Sequence, residues 1–69
     1  MNDYYNSEKM HTLPKFRLTY TITSEDGVVE KVKVISAKGV DKAKAIVYIS
    51  EGVEGVPSSR IKFMKEEIL

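Results

Sequence analysis

The chain has 69 residues, no cysteine, a single histidine and a formal net charge of +1 at neutral pH. A chain of this length holds one domain and buries only about 60% of its unfolded surface, so its core alone gives marginal stability. Without cysteine there are no disulfides or thiolate ligands, and His11 alone cannot supply the usual four ligands of zinc. We therefore expect no metal and no cofactor, and self-association as the source of extra stability.

The N-terminal segment, residues 1–14, shows neither a strand nor a helix period and is rich in polar side chains. We predict a flexible N-terminal arm there, followed by a single domain over residues 15–69. Tyr4, Tyr5 and Met10 leave open the docking of this arm on the domain or on a partner. The polar start is unlike a signal peptide, and no apolar run reaches the roughly 20 residues that span a bilayer. We expect a cytoplasmic protein without membrane contact.

A first strand is predicted over residues 15–23, where apolar and polar side chains alternate. The core face of this strand carries Phe16, Leu18, Tyr20 and Ile22. A turn over residues 24–27 leads to a second strand over residues 28–36, with Val32 and Val34 as its core pair. The β-branched and aromatic content of the first strand agrees with its prediction as a strand.

The loop length sets the register of this hairpin. A two-residue loop at 26–27 would place Tyr20 opposite Lys33 and mix apolar and charged side chains on one face, which a half-buried sheet disfavours. A three-residue loop at 25–27 places Tyr20 opposite Val32 instead and gives the loop's glycine a left-handed conformation. We therefore predict the three-residue loop, with the valines of the second strand in the core.

A helix is predicted over residues 40–50, with Gly39 as its N-cap and Gly52 as its C-terminal stop. One face of this helix is apolar by its i, i+3, i+4 spacing. That face carries Val40, Ala43, Ile46, Val47 and Ser50. A second apolar group widens the band and fits either a broad core contact or a protein contact. It consists of Ala45, Tyr48 and Ile49.

A third strand is predicted to begin near residues 58–59, with Ile61 and Phe63 toward the core. The fold class is therefore α+β: a two-layer β-β-α-β unit with a three-stranded, mainly antiparallel sheet and one helix packed on one face. We favour the strand order 2-1-3, because it makes the sheet fully antiparallel. The alternative places strand three beside strand two through a right-handed crossover. The segments 34–37 and 41–45 are similar to the strand-to-helix crossover of many small β-β-α-β families, a likeness that implies no function.

The uncovered face of this sheet is predicted to be basic, because six of the eleven lysine and arginine side chains fall on it. The candidate binding face consists of Lys15, Arg17, Thr19, Thr21, Lys31, Lys33, Arg60 and Lys62. Clustered positive charge attracts phosphates, although lysine and threonine are also ordinary solvent-facing residues of a sheet. The aromatic side chains point to the core, so any nucleic-acid binding is expected to be directed at the backbone.

No arrangement of residues predicts catalysis. His11 has no serine or cysteine partner, and the glycines match neither a phosphate loop nor a dinucleotide fingerprint. We expect a non-enzymatic interaction protein that acts by protein–protein contact, of the size typical of phage or mobile-element accessory proteins. Free sheet edges favour a homodimer with a six-stranded sheet. The alternative function is nucleic-acid binding through the basic face.

Overall fold

A computed structural model describes residues 13–69; residues 1–12, with most of the predicted arm and His11, lie outside the described part. Three strands, β1, β2 and β3, form one antiparallel sheet in the order β2-β1-β3. Within residues 13–69 one α-helix, α1, packs on one face of this sheet. The bounds are β1 Lys15–Ser24, β2 Gly27–Ser36, α1 Val40–Val53, a short 3₁₀ turn Ser58–Arg60 and β3 Ile61–Ile68. The predicted fold class and the favoured strand order are both confirmed.

The hydrophobic core lies between α1 and the centre of the sheet. Strand β1 runs through the middle of the sheet, and its alternation places one apolar row against the helix, as the sequence predicts. The buried core residues are Phe16, Leu18, Tyr20, Ala37, Ala43, Val47 and Ile61. Ile22, Ile35, Val40, Val56 and Phe63 pack around them with partial exposure.

The register of the β1–β2 hairpin differs from the predicted one. Ser24 pairs with Gly27, so the loop holds only two residues, and Tyr20 lies opposite Lys31 instead of Val32. The predicted three-residue loop is wrong, and a slip of one residue moves every side chain of β2 to the other face. The need for glycine at position 27 remains, since its φ is +133°.

This register exchanges the predicted faces of β2. Lys31 and Lys33 lie on the side that α1 covers, while Val32 and Val34 lie on the open face and are exposed. The prediction that these two valines belong to the core is therefore wrong. The sequence favours the three-residue loop because the alternative mixes apolar and charged side chains on one face; in the structure Glu51 of the helix supplies a partner for Lys31 on that face.

The helix begins after Gly39, as predicted, but continues three residues beyond the predicted end. The left-handed conformation that terminates it belongs to Gly55, with φ +91°, and not to Gly52. Gly55 N–H donates to the Gly52 carbonyl and Val56 N–H to the Glu51 carbonyl, both at 3.0 Å. This hydrogen-bond pair is the Schellman motif, which requires a residue with positive φ just after the helix.

Strand β3 carries a bulge that interrupts its alternation. Tyr20 pairs with Phe63, but the next residue of β1, Thr19, pairs with Lys65, so the register skips Met64. One extra residue reverses the faces along the rest of the strand. Phe63 and Ile68 consequently share the helix-covered side although their spacing is odd. The strand starts at Ile61, after the 3₁₀ turn, and not at the predicted position near residues 58–59.

Candidate functional site

A buried carboxylate, that of Glu51, lies between α1 and the sheet with only 1% of its residue surface exposed. The Tyr20 hydroxyl donates a hydrogen bond to its Oε2 atom at 2.5 Å, and Lys31 Nζ donates to both carboxylate oxygens at 3.2 Å. Lys33 Nζ lies 4.0 Å from the same oxygen and donates to Ser50 Oγ at 3.1 Å. We call these five residues the Glu51 cluster.

The protonation states of the Glu51 cluster follow from its contacts. Burial, followed by the hydrogen bond to Glu51, raises the pKa of the Tyr20 hydroxyl. The hydrogen bond from Tyr20, followed by that from Lys31, holds the pKa of the Glu51 carboxyl below its usual range against the opposing effect of burial. At neutral pH a neutral phenol and an ammonium therefore donate to a carboxylate.

The Glu51 cluster is closed to chemistry. Among residues 13–69, every buried side-chain nitrogen and oxygen atom has a hydrogen-bond partner. The carboxylate is enclosed, and the Tyr20 hydroxyl, whose pKa is raised by burial, faces the Glu51 carboxyl, whose pKa is lowered by the hydrogen bond from Tyr20. The arrangement therefore fixes the helix on the hairpin and offers no free acid, base or nucleophile to a substrate.

Sequence reasoning missed the role of Glu51, which is not among the predicted candidate residues. The signal was present, because Ala43, Val47 and Glu51 follow one another at intervals of four and form the buried stripe of α1. An acid in such a stripe requires a cationic or hydrogen-bonding partner, and β2 carries two lysines at alternate positions. Combining the two patterns places the lysines of β2 on the helix-covered face, as observed.

The open face of the sheet carries an exposed apolar group, which we call the valine patch. It consists of Val28, Val32 and Val34, which are 63%, 54% and 53% exposed. All three lie on β2, where Thr23 is opposite Val28, Thr19 is opposite Val32 and Arg17 is opposite Val34. Glu30 lies on the same face between Val28 and Val32, so the β2 edge of the open face is mainly apolar with one acidic residue.

The predicted basic face is divided by the structure. Lys15, Arg17, Thr19, Thr21 and Lys62 occupy open-face positions of β1 and β3. Lys31 and Lys33 do not join them, because both reach under the helix to Glu51, and their predicted placement on the open face is wrong. Arg60 lies in the 3₁₀ turn and donates to the Thr23 carbonyl at 3.2 Å.

Acidic side chains also lie on the open face. Glu30 lies opposite Thr21, and Glu67 lies opposite Arg17 and accepts a hydrogen bond from its guanidinium at 3.4 Å. Lys65 Nζ is 3.8 Å from the same carboxylate. The part of the open face nearest β3 is therefore a mixed-charge surface, not a uniformly positive one.

The predicted protein-contact group on the helix is only partly free. Ala45 and Ile49 are exposed, but the Tyr48 ring packs edge-on against Phe63 with centroids 5.4 Å apart. Lys44 Nζ lies 5.1 Å above the same ring and pairs with Glu66. Tyr48 thus belongs mainly to the contact between α1 and β3.

An open groove of about 360 Å³ lies at the other end of the sheet, lined by Phe16, Val40, Glu66 and Ile68. Its one charged residue, Glu66, is paired with Lys44, so its walls offer only apolar contact. Within residues 13–69 no group of three acidic or histidine side chains is arranged to hold a metal ion. The single α-helix of this described range lacks the length and apolar character for crossing a membrane.

Comparison with known proteins identified no relative of this chain. No protein-family model matches the chain, and neither the curated proteins nor the solved structures give a significant match.

Proposed function

We propose that this chain is a non-catalytic interaction protein that binds another protein through the open face of its sheet. The observation that carries this proposal is the valine patch: three valines of one strand stay more than half exposed in a domain whose core is small. Exposed apolar side chains that share one face of a small domain mark contact surfaces, because water solvates them poorly.

The surroundings of the valine patch support a protein partner. Thr19 and Thr21 continue the surface inward with side chains that accept either apolar or hydrogen-bonded contact. Glu30 lies between Val28 and Val32 on this face, and the Arg17–Glu67 ion pair borders Val34. Interfaces of non-obligate complexes are of such mixed apolar and charged composition.

A non-catalytic role is supported by the way the ionisable groups are used. Tyr20 and Glu51 are the most buried titratable residues of the described range, and the Tyr20 hydroxyl donates a hydrogen bond to the Glu51 carboxylate. In an active site, buried titratable side chains instead face a cavity that holds the substrate. The Glu51 cluster adjoins no such space among the described residues.

Nucleic-acid binding, the alternative, has less support than the sequence suggested. Two of its expected phosphate ligands, Lys31 and Lys33, are held by Glu51, and Glu67 faces Arg17 on the remaining surface. A gel shift with mixed DNA and RNA at low salt tests this function, since phosphate contacts are strongest there. A shift that Lys62→Glu abolishes would favour it over the protein-binding proposal.

The test of the proposed function compares immobilised variants in a lysate of the source organism. The double variant Val28→Lys/Val34→Lys removes most of the valine patch at exposed positions, and Met64→Lys changes an equally exposed apolar side chain on β3. We expect one or more proteins to be retained by the unchanged chain and by Met64→Lys, and lost from the double variant. Equal retention by all three, or none by any, contradicts the proposal.

A further inference from the structure

The two edges of the sheet differ in their protection against strand pairing. The β3 edge carries four charged side chains and a bulge. Two residues of α1 also contact this strand: Lys44 pairs with Glu66, and Tyr48 packs against Phe63. Such features prevent pairing with another chain. The β2 edge carries three charged side chains, Glu30, Lys31 and Lys33, but it offers ten consecutive strand residues without a proline or a bulge. The β2 edge is therefore the open one.

An exposed apolar stripe on α1 lies above the same edge. Ile46, Ile49 and Val53 follow the i, i+3, i+7 spacing of one helix face and are 43%, 68% and 79% exposed. At 100° per residue, Ile46 and Val53 lie on the side of the helix marked by Ser50, which contacts Lys33 of β2. Ile46 and Val53 thus overhang the position that a strand added to β2 would occupy, and Ile49 borders them on the outer side of the helix.

We propose that this side of the domain, the β2 edge together with the helix stripe, binds a second copy of the chain. A two-fold axis perpendicular to the sheet places β2 antiparallel to β2 of the second copy and brings the two helices side by side on one face. One partner then covers both the open edge and the stripe. The result is a six-stranded antiparallel sheet with two adjacent helices.

The symmetry selects the register. Residues that face each other in an antiparallel pair point to the same side of the sheet, and this two-fold axis keeps every residue on its own side. One residue of β2 therefore lies at the axis and faces the same residue of the second copy. Placing Glu30, Lys31 or Lys33 there sets identical charges against each other. Val32 on the axis avoids this, pairs nine residues of each strand and sets Val29 against Ile35 of the second copy. Lys31 then faces Lys33 of the second copy, with each ammonium group already turned toward its own Glu51.

The area of this contact is sufficient for a specific dimer. A ten-residue strand is about 34 Å long, and a sheet with a helix above it is about 15 Å tall. The contact is therefore about 500 Å² per copy, or about 1,000 Å² in total, which is the lower bound for specific interfaces. We expect a reversible dimer of moderate affinity.

The direct test is sedimentation of the full chain over a wide range of concentrations, with two matched variants. Ile49→Glu places a charge in the helix stripe, while Met64→Glu does the same at the β3 edge; both positions are exposed, so both variants fold. We expect the unchanged chain and Met64→Glu to dimerise, and Ile49→Glu to raise the dimer Kd by about tenfold or more. A chain that stays monomeric throughout, or equal effects of the two variants, overturns the proposal.

Cross-linking tests the register separately. The sequence has no cysteine, so Val32→Cys introduces the only thiol. We expect rapid disulfide formation by Val32→Cys, whose thiols meet on the axis, and much slower formation by Met64→Cys. The reverse order contradicts the proposed axis. Because Ile49 lies outside the open face, a chain that dimerises but retains no other protein overturns the proposed function and leaves this inference standing.

Discussion

Tyr20 and Lys31 are direct cross-strand partners, and both donate hydrogen bonds to the carboxylate of Glu51 on the helix above them. This relationship joins both strands of the hairpin to α1 through one buried group. It also determines which face of β2 is covered. The valine patch and the open β2 edge, on which the two proposals depend, are both consequences of it.

The Tyr20→Phe variant tests the contribution of this hydrogen bond. The ring stays in place against Phe63, but Glu51 loses the donor that lies closest to it. A hydrogen bond to a charged group contributes about 1.5–3 kcal/mol, so we expect the free energy of unfolding to fall by that amount. Urea unfolding followed by circular dichroism measures it. An unchanged midpoint would show that the hydroxyl is not bound to the carboxylate.

The pH dependence of stability reports on Glu51. Its pKa in the folded chain lies below the ordinary glutamate value of about 4.3, so its contribution is present above that pH and is lost as the pH falls through the folded pKa. We expect Glu51→Gln to be less stable than the unchanged chain at neutral pH, with the difference shrinking below about pH 4. Thermal melts from neutral pH down to pH 3 check this. A difference that is constant with pH would contradict an ionised Glu51.

Two glycines three residues apart should respond oppositely to alanine. Gly52 lies inside α1, where Gly52→Ala stabilises by about 0.5–1 kcal/mol through helix propensity. Gly55 has a φ of +91°, so Gly55→Ala costs about 1 kcal/mol or more. A Cβ atom meets no neighbour within 4 Å at either position, which leaves backbone conformation as the difference. Thermal melts of the two variants that shift in the same direction would refute the observed helix end.

The same substitution at two valines separates the open face from the core. Val34 lies on the exposed face, so Val34→Thr should change the free energy of unfolding by less than about 0.5 kcal/mol. Val47→Thr buries a hydroxyl in the core and should cost about 1–3 kcal/mol. Denaturant titration of both variants gives the comparison. Equal costs at the two positions would place Val34 in the core and contradict the register.

Much of the fold follows from local pattern. The alternation of β1 and the four-residue spacing of α1 predict the layers, and an antiparallel sheet predicts the order 2-1-3. The register of β2 does not follow from apolar pattern alone, because valines and lysines alternate and either set can face the helix. The choice depends on Glu51, which is about 20 residues away in the sequence and meets Lys31 only after folding.

The candidate site was therefore the part least accessible from the sequence. The predicted basic face required Lys31 and Lys33 beside Arg17, and one register step removed both. The valine patch appeared in their place. The bulge at Met64 had the same effect on β3, since an inserted residue changes the face of every residue after it.

The most direct test of the account is the set of cross-strand Hα–Hα contacts of the hairpin in a nuclear Overhauser spectrum. Facing residues of an antiparallel pair bring their Cα atoms to about 4.5–5.5 Å, so the contacts identify the register without mutation. We predict contacts that join Tyr20 to Lys31 or Thr19 to Val32. Contacts that join Tyr20 to Val32, or Leu18 to Val34, would return the lysines to the open face and contradict the Glu51 cluster, the valine patch and the proposals based on them.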